Sequence, residues 1–269
     1  MAILVLALTS CLVQAGDTGP DAKLSTARQH QILRDALNAY DEAVACTLDD
    51  AERAEELFRS AAAGFEALIA SGRHNAALEY NLGNTQFRLG RLGRAIVHYR
   101  RAARLDPGNT KLQTNLAYAR RQVEPYIEAG GQRRLIHQVL FWHYDTALTQ
   151  RFWAALGLSL FGWLLLLARL RWDYRGLFIG GAVSVVLGLA AGTSVFVQHN
   201  NERQQPPAVI IGQEVVLRLG RGEAYEPALR QPLGAGVELL ILQQRGDWLE
   251  VELPNQQTGW LPAASVERI

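Results

Sequence analysis

The spacing of apolar residues changes twice along the chain. From Thr26 to Val123 they recur every three or four positions, which is the period of amphipathic helices. Two runs, 152–168 and 176–197, then contain no charged residue and approach or reach the length of a membrane helix. From Val209 onward apolar and polar residues alternate, as in half-buried strands. The pattern predicts a multidomain chain with an all-α region, a pair of membrane helices and a small all-β region.

The most regular helical pattern lies in residues 76–109. Gly90 ends the first predicted helix as a C-cap residue, and Pro107-Gly108 ends the second. Each helix carries one apolar stripe. The stripe residues are Leu78, Leu82, Thr85 and Leu89, then Leu92, Ala95, Ile96, Tyr99, Ala102 and Ala103. Gly83 lies within the first stripe, where the missing side chain lets the partner helix approach closely. We therefore predict a pair of packed helices.

This stretch resembles a tetratricopeptide repeat. The repeat has a period of 34 residues and the pattern W-x2-L-G-x2-Y, then A-x3-F, then P. The residues at matching offsets are Leu82, Gly83, Ala95, Tyr99 and Pro107. Glu79 and Gln86 stand where the family has its Trp and its Tyr. The spacing carries the resemblance despite these two departures.

Neighbouring units are expected because one repeat cannot bury its apolar face alone. A step of 34 residues back from the second helix reaches Ala61 and Phe65, which fit a degenerate preceding unit. The same step forward from the first helix reaches Leu116-Ala117, in a further helical stretch. We expect an all-α tetratricopeptide-repeat solenoid over residues 24–124.

Residues 1–16 are apolar and end in small residues, as in a secretory signal peptide. Val13-Gln14-Ala15 is close to the A-x-A cleavage pattern, although no Lys or Arg precedes the apolar core. A second interpretation is a lipoprotein signal in which Cys11 is acylated. A third is an uncleaved anchor.

Two transmembrane helices are predicted at 151–170 and 176–198, with tryptophans flanking the first. Glycines spaced four apart, Gly176-x3-Gly180 and Gly188-x3-Gly192, are expected to contact the other helix. Residues 125–150 mix basic, apolar and aromatic side chains. They predict an elbow at the membrane interface, and the alternative is an extra helix packed on the repeats.

The short connection between these helices predicts the membrane topology. Arg169, Arg171 and Arg175 lie there with only Asp173 opposing them. The positive-inside rule places such a loop in the cytoplasm. Both flanking domains would then lie in the periplasm, as the signal peptide also predicts.

Short alternating segments with glycine turns make up residues 204–269. Strands are predicted at Val215–Leu219, Val237–Ile241 and Trp248–Leu253. The region resembles a bacterial SH3-like (SH3b) domain, which implies a small all-β SH3-like barrel. The residues that carry the resemblance are Glu214-Val215-Val216-Leu217-Arg218, Gly220-x-Gly222-Glu223-x-Tyr225, Gly246-Asp247-Trp248-Leu249-Glu250-Val251 and Thr258-Gly259-Trp260-Leu261-Pro262.

Composition and motifs point away from catalysis. The 269 residues carry a net charge of +1, so no binding to nucleic acid is expected. Only two cysteines are present, too few for a disulfide framework, and Cys46 is expected to be a small buried residue. No metal-ligand spacing, phosphate loop or nucleophile elbow occurs. We expect a protein that is not an enzyme and has no cofactor or metal.

The repeat region is instead a candidate for binding a protein partner. Residues 76–124 contain nine Lys or Arg against three acids, a net charge of 9 − 3 = +6. A basic groove would attract an acidic segment. The predicted groove residues are Tyr80, Asn84, Phe87, Arg88, Lys111, Tyr118 and Arg121. The alternative is that the arginines form a solvated outer face.

The C-terminal region offers a second candidate surface. Tyr225, Trp248 and Trp260 are predicted to line an aromatic groove, although both tryptophans also fit a core position. This region has eight acids against five arginines, so contact with the basic repeats is a further hypothesis.

The order of signal, repeats, two spans and SH3-like domain resembles the BatE proteins of the Bacteroides aerotolerance (Bat) group. The resemblance implies a scaffold of the bacterial inner membrane in a system linked to envelope stress. It implies von Willebrand factor A-domain proteins and a MoxR-type ATPase as partners. The alternative function is a cell-wall sensor whose SH3-like domain binds peptidoglycan peptides, and a weaker third is an accessory subunit of a membrane enzyme.

Overall fold

A computed structural model of the chain describes residues 25–127, 146 and 148–269. The predicted signal at 1–16 and most of the predicted elbow at 125–150 lie outside these residues. The described part contains a stack of helices, a long helical hairpin and a β-sheet.

Five helices form the N-terminal stack, and each packs on the next. They are α1 (Thr26–Cys46), α2 (Ala51–Ala70), α3 (Ala76–Arg88), α4 (Leu92–Leu105) and α5 (Thr110–Arg120). Four begin at a polar residue whose side chain accepts a hydrogen bond from the first turn. These N-cap residues are Ser25, Asp50, Asn75 and Asn109.

Two glycines shape the α3–α4 pair as the sequence predicts. A Cβ atom on Gly83 would lie 2.6 Å from the Tyr99 ring, so the missing side chain allows the two helices to meet. Gly90 follows α3 with φ +71°. Its N–H donates to the carbonyl of Phe87, and the next N–H donates to Gln86, which together close the helix.

The α1–α2 pair lies where the sequence predicts the degenerate preceding unit. Ala61 and Phe65 of α2 are fully buried, as the 34-residue step predicts. However, α2 begins at Ala51, seven residues before the position 58 that the same step gives for the start of α4. Asp50 starts the helix there by capping it. The α1–α2 hairpin is therefore longer than the α3–α4 hairpin.

The second hairpin consists of α6 (Leu148–Arg169) and α7 (Arg175–Gln204). Both helices are long and apolar enough to cross a membrane. The two helices lie in close contact at Gly162, Gly181 and Gly188, where an added Cβ would meet the other helix. The predicted contacts are only partly right, because a Cβ on Gly176 would meet Tyr174 of the preceding loop, and a Cβ on Gly192 would meet no atom within 4 Å among the described residues.

A five-stranded antiparallel sheet forms the C-terminal region, in the order β4-β3-β2-β1-β5. The strands are β1 (Pro207–Ile210), β2 (Glu238–Arg245), β3 (Trp248–Glu252), β4 (Thr258–Pro262) and β5 (Val266–Arg268). Gly246-Asp247 makes the predicted turn between β2 and β3. The prediction of a strand at Val215–Leu219 is wrong. In the structure this segment belongs to no strand and makes isolated bridges at Val215 and Arg218, and Leu219 is exposed.

The helical stack and the sheet share one apolar core. Buried side chains of α4, α5 and all the longer strands form a single cluster. Gly93 of α4 lies directly against the backbone of Ile210 in β1. The N–H of Gly234 donates to the carbonyl of Glu124 at 3.1 Å. The regions predicted at 24–124 and 204–269 therefore pack together, although two long helices separate them in sequence.

Candidate protein-binding surface

Two stripes of side chains face each other across α3 and α5. On α3 the stripe contains Tyr80, Asn84 and Phe87, and on α5 it contains Lys111, Asn115 and Tyr118. Both have the spacing i, i+4, i+7, which keeps side chains on one face of a helix. We call these residues, together with Arg88 and Arg121, the α3–α5 surface.

A hydrogen-bonded network connects the two stripes. Asn115 Nδ2 donates to Tyr80 Oη and to Asn84 Oδ1, each at 3.0 Å. Asn84 Oδ1 also accepts from the hydroxyl of Tyr99 on α4, at 2.8 Å. Burial, with help from the neighbouring tyrosines, raises the pKa of Tyr99, so this hydroxyl stays a donor. The network fixes the relative positions of α3, α4 and α5 beneath the surface.

Aromatic rings and free cations lie beside this network. The rings of Phe87 and Tyr118 have centroids 5.7 Å apart, and about half of Tyr118 is exposed. The Arg121 guanidinium carbon lies 5.8 Å from the centroid of the Tyr118 ring. Within the described residues, Arg88, Lys111 and Arg121 are exposed and take part in no ion pair. Such a surface can hold an acidic segment that also has an apolar side chain.

The comparisons with known proteins bear on this same stretch. The family model of the tetratricopeptide repeat matches residues 76–109. The searches of curated proteins and of solved structures each found no match. Tetratricopeptide repeats are non-catalytic modules that bind other proteins. The α3 half of the surface lies inside the matched repeat, and the α5 half follows it directly.

Three arginines of the repeat region form ion pairs with the C-terminal sheet. Arg100 and Arg120 both pair with Glu238 of β2, at 3.2 and 2.5 Å, and Arg101 pairs with Glu267 of β5 at 3.0 Å. The hypothesis of contact between the basic repeats and the acidic C-terminal region is thus correct within one molecule. The basic excess of +6 in residues 76–124 is therefore partly offset by Glu238 and Glu267 of the sheet.

Glu238 is the centre of this contact. Burial opposes ionisation of its carboxyl, but Arg100 and Arg120 outweigh burial and hold its pKa below the ordinary value. The carboxylate is therefore charged at neutral pH. It connects α5 to the sheet by two hydrogen bonds from Arg120, and it connects α4 to the sheet by the ion pair with Arg100.

The three aromatic residues predicted in the C-terminal region lie outside its core. Trp248 and Trp260 are half-buried and alternate with the buried residues Leu249 and Leu261. The Arg221 guanidinium carbon lies 5.8 Å from the ring centroid of Trp260, and Tyr225 is exposed. Their role as a binding groove stays a prediction.

Asn115 belongs to the α3–α5 surface, although it was not among the groove residues predicted from the sequence. Asn115 joins the two stripes, yet only its spacing from Lys111 and Tyr118 signals this in the sequence.

No group of three or more His, Cys, Asp or Glu side chains that could hold a metal ion occurs among the described residues. A buried pair, Glu79 and His98, lies inside the repeat with 2.8 Å between Oε2 and Nδ1.

Proposed function

We propose that the chain is a non-enzymatic, membrane-anchored scaffold whose α3–α5 surface binds an acidic segment of another protein. The observation that carries the proposal is the combination of three cations, which have no ion pair among the described residues, with the Phe87–Tyr118 pair on and beside a tetratricopeptide repeat. Hydrogen bonds in the Tyr80–Asn84–Asn115 network hold α3 and α5 in place in the free protein. Binding of a partner therefore costs little conformational entropy at this surface.

Membrane anchoring rests on α6 and α7. Only 17% and 11% of their apolar windows are buried, whereas the core helix of a soluble protein would be mostly buried. The helices flank a loop with three arginines, which favours the cytoplasm. Since the helical stack precedes the hairpin and the sheet follows it, their contact requires both to lie on the same side. We infer that this side is the periplasm.

The type of C-terminal domain and the partner proteins are proposed from the resemblance to known families. We propose that the C-terminal sheet region is an SH3-like barrel, and that the protein acts with von Willebrand factor A-domain proteins and a MoxR-type ATPase, as the BatE resemblance implies. The four motifs in residues 214–262 support the first statement. The order of the regions along the chain supports the second.

Charge reversal on the α3–α5 surface tests the scaffold function. The full chain with Arg88→Glu and Arg121→Glu is expected to lose its envelope partners in affinity purification from membranes. A matched control carries Arg94→Glu and Arg230→Glu, which are exposed arginines without an ion pair in the described residues. Retention of every partner by the first variant would contradict the proposal.

The second candidate function is binding of peptidoglycan peptides by the C-terminal region. The outer-face position of Trp260 beside Arg221, with Tyr225 exposed, favours it. The full chain in detergent should then sediment with purified sacculi, and Tyr225→Ala with Trp260→Ala should abolish this. The complete chain is used because the sheet shares its core with the helices. Absence of sedimentation would rule this candidate out.

A further inference from the structure

The α1–α2 hairpin extends beyond the repeat stack. Helix α2 starts seven residues earlier than the matching helix of the 76–109 repeat, an extension of about 10 Å at 1.5 Å per residue. Ala54 of the extension is buried together with Ala43 of α1 and Phe58 of α2. The turn between α1 and α2 lies at the end of this extension. We call residues 47–56, which include this turn, the acidic tip.

The acidic tip combines charge with one apolar side chain. Residues 47–56 contain five acids and one arginine, a net charge of 1 − 5 = −4. Leu48 is 96% exposed, which is the highest exposure of any large apolar residue in the described part of the chain. Asp49, Glu52 and Glu56 are exposed and take part in no ion pair among the described residues. The tip thus combines an exposed apolar residue with carboxylates that have no ion-pair partner among the described residues.

These features are complementary to the α3–α5 surface of the same chain. Among the described residues, that surface has three cations without an ion pair beside an aromatic pair, and the tip has three carboxylates without an ion pair on the same short segment as Leu48. We propose that the acidic tip of one copy binds the α3–α5 surface of a second copy. Leu48 then contacts Phe87 and Tyr118, and the carboxylates pair with Arg88, Lys111 and Arg121. The inference rests on the proposed function of this surface and names its partner.

The contact is heterologous, because two different surfaces of identical chains meet. Each bound copy keeps a free tip and a free surface, so association continues from copy to copy. Copies held in one membrane by α6 and α7 would form rows. Opposite charges at the contact make the association weaken as the salt concentration rises.

Charge exchange between the two surfaces tests the proposal. The tip variant carries Asp49→Arg and Glu52→Arg, and the surface variant carries Arg88→Glu and Arg121→Glu. Each variant alone brings together like charges and should weaken self-association at least tenfold. A mixture of the two restores an opposite-charge pair at every junction and should associate again. The measurement is energy transfer between labelled full-length chains in vesicles, with Asp35→Arg and Glu223→Arg as the control.

The outcomes separate this inference from the proposed function. Wild-type chains that do not associate, or a mixture that fails to associate, would overturn the inference. If the tip variant keeps its envelope partners while the surface variant loses them, and wild-type chains do not self-associate, the scaffold function stands and the inference falls. If the surface variant loses neither its partners nor self-association, both fall.

Discussion

Glu79 stands where the tetratricopeptide pattern has a tryptophan, and it is buried. Its Oε2 lies 2.8 Å from His98 Nδ1 on α4, and its other oxygen lies 3.9 Å from His74 Nδ1. A hydrogen-bonded polar pair thus fills a place that a large apolar ring fills in the family. Such a pair stabilises the fold only while both partners are present, because an unpaired buried carboxylate is costly.

Loss of His98 is therefore expected to be more damaging than loss of the whole pair. His98→Ala should lower the free energy of unfolding by about 3 to 5 kcal/mol, since it leaves Glu79 buried without its main partner. Urea unfolding of the purified full-length protein measures this. The control His74→Ala should have little effect because His74 is exposed. Glu79→Leu with His98→Leu should be nearer the wild type than His98→Ala, and the reverse order would contradict this account.

At the scale of elements, α4 packs both on the preceding helix of its repeat and on the sheet. One face packs on α3 through Gly83 and Tyr99, and another packs on β1 through Gly93. The first contact was predictable because both residues lie within one 34-residue unit whose spacing is known. The second was not, since nothing in the repeat pattern indicates that Gly93 faces a strand more than one hundred residues later. The repeat pattern therefore predicts contacts within one repeat, but it does not predict contacts with residues far away in the sequence.

Gly93→Ala should separate the sheet from α4. The new Cβ would lie 2.4 Å from the carbonyl oxygen of Ile210, and this atom belongs to backbone that cannot rotate away. Overpacking of this kind costs roughly 1 to 3 kcal/mol, which exceeds the gain of up to about 1 kcal/mol from replacing a helical glycine. Faster hydrogen exchange of the β1 amides is the expected result. Gly108→Ala, which has open space, should leave exchange unchanged.

The contact between α4, α5 and β2 should also depend on pH. Because the pKa of Glu238 is lowered in the folded state, its stabilisation is present above the ordinary pKa of 4.5 and is lost as the pH falls through the lower folded value. Glu238→Gln should remove this dependence and weaken the contact by roughly 2 to 3 kcal/mol at neutral pH. Limited proteolysis between pH 3 and 7 follows the change. Glu223→Gln, an exposed acid, should behave as the wild type.

At the scale of the whole molecule, the sequence predicted the order of the regions and raised contact between the repeats and the C-terminal region as a hypothesis, but it did not specify the residues that join them. Helical spacing, uncharged runs and period-two alternation each identified one region from local pattern alone. The pairing of Arg100, Arg101 and Arg120 with two glutamates of the sheet joins residues more than one hundred positions apart. A charge count shows that such pairing is possible, but it cannot show which arginines remain free.

Because the helical stack and the sheet share a core, both are expected on the same side of the membrane. Cysteines introduced at exposed Ser60 and Asn255 should react alike with an impermeant maleimide in intact cells, in a background without Cys11 and Cys46. A cysteine at exposed Leu170, in the loop between α6 and α7, should be protected until the membrane is opened. Different labelling of Ser60→Cys and Asn255→Cys would contradict the shared core. Labelling of Leu170→Cys alone would place both regions in the cytoplasm.

The shared core also has a consequence in time. Ile96 and Val123 pack against the turn before β2, which the ribosome makes only after both long helices. At roughly 5 to 20 residues per second, synthesis of the intervening segment takes on the order of ten seconds. During this interval the new chain carries an uncovered apolar face. A chain that stops after α7 would keep that face permanently, and the cell's quality-control proteases are expected to remove it.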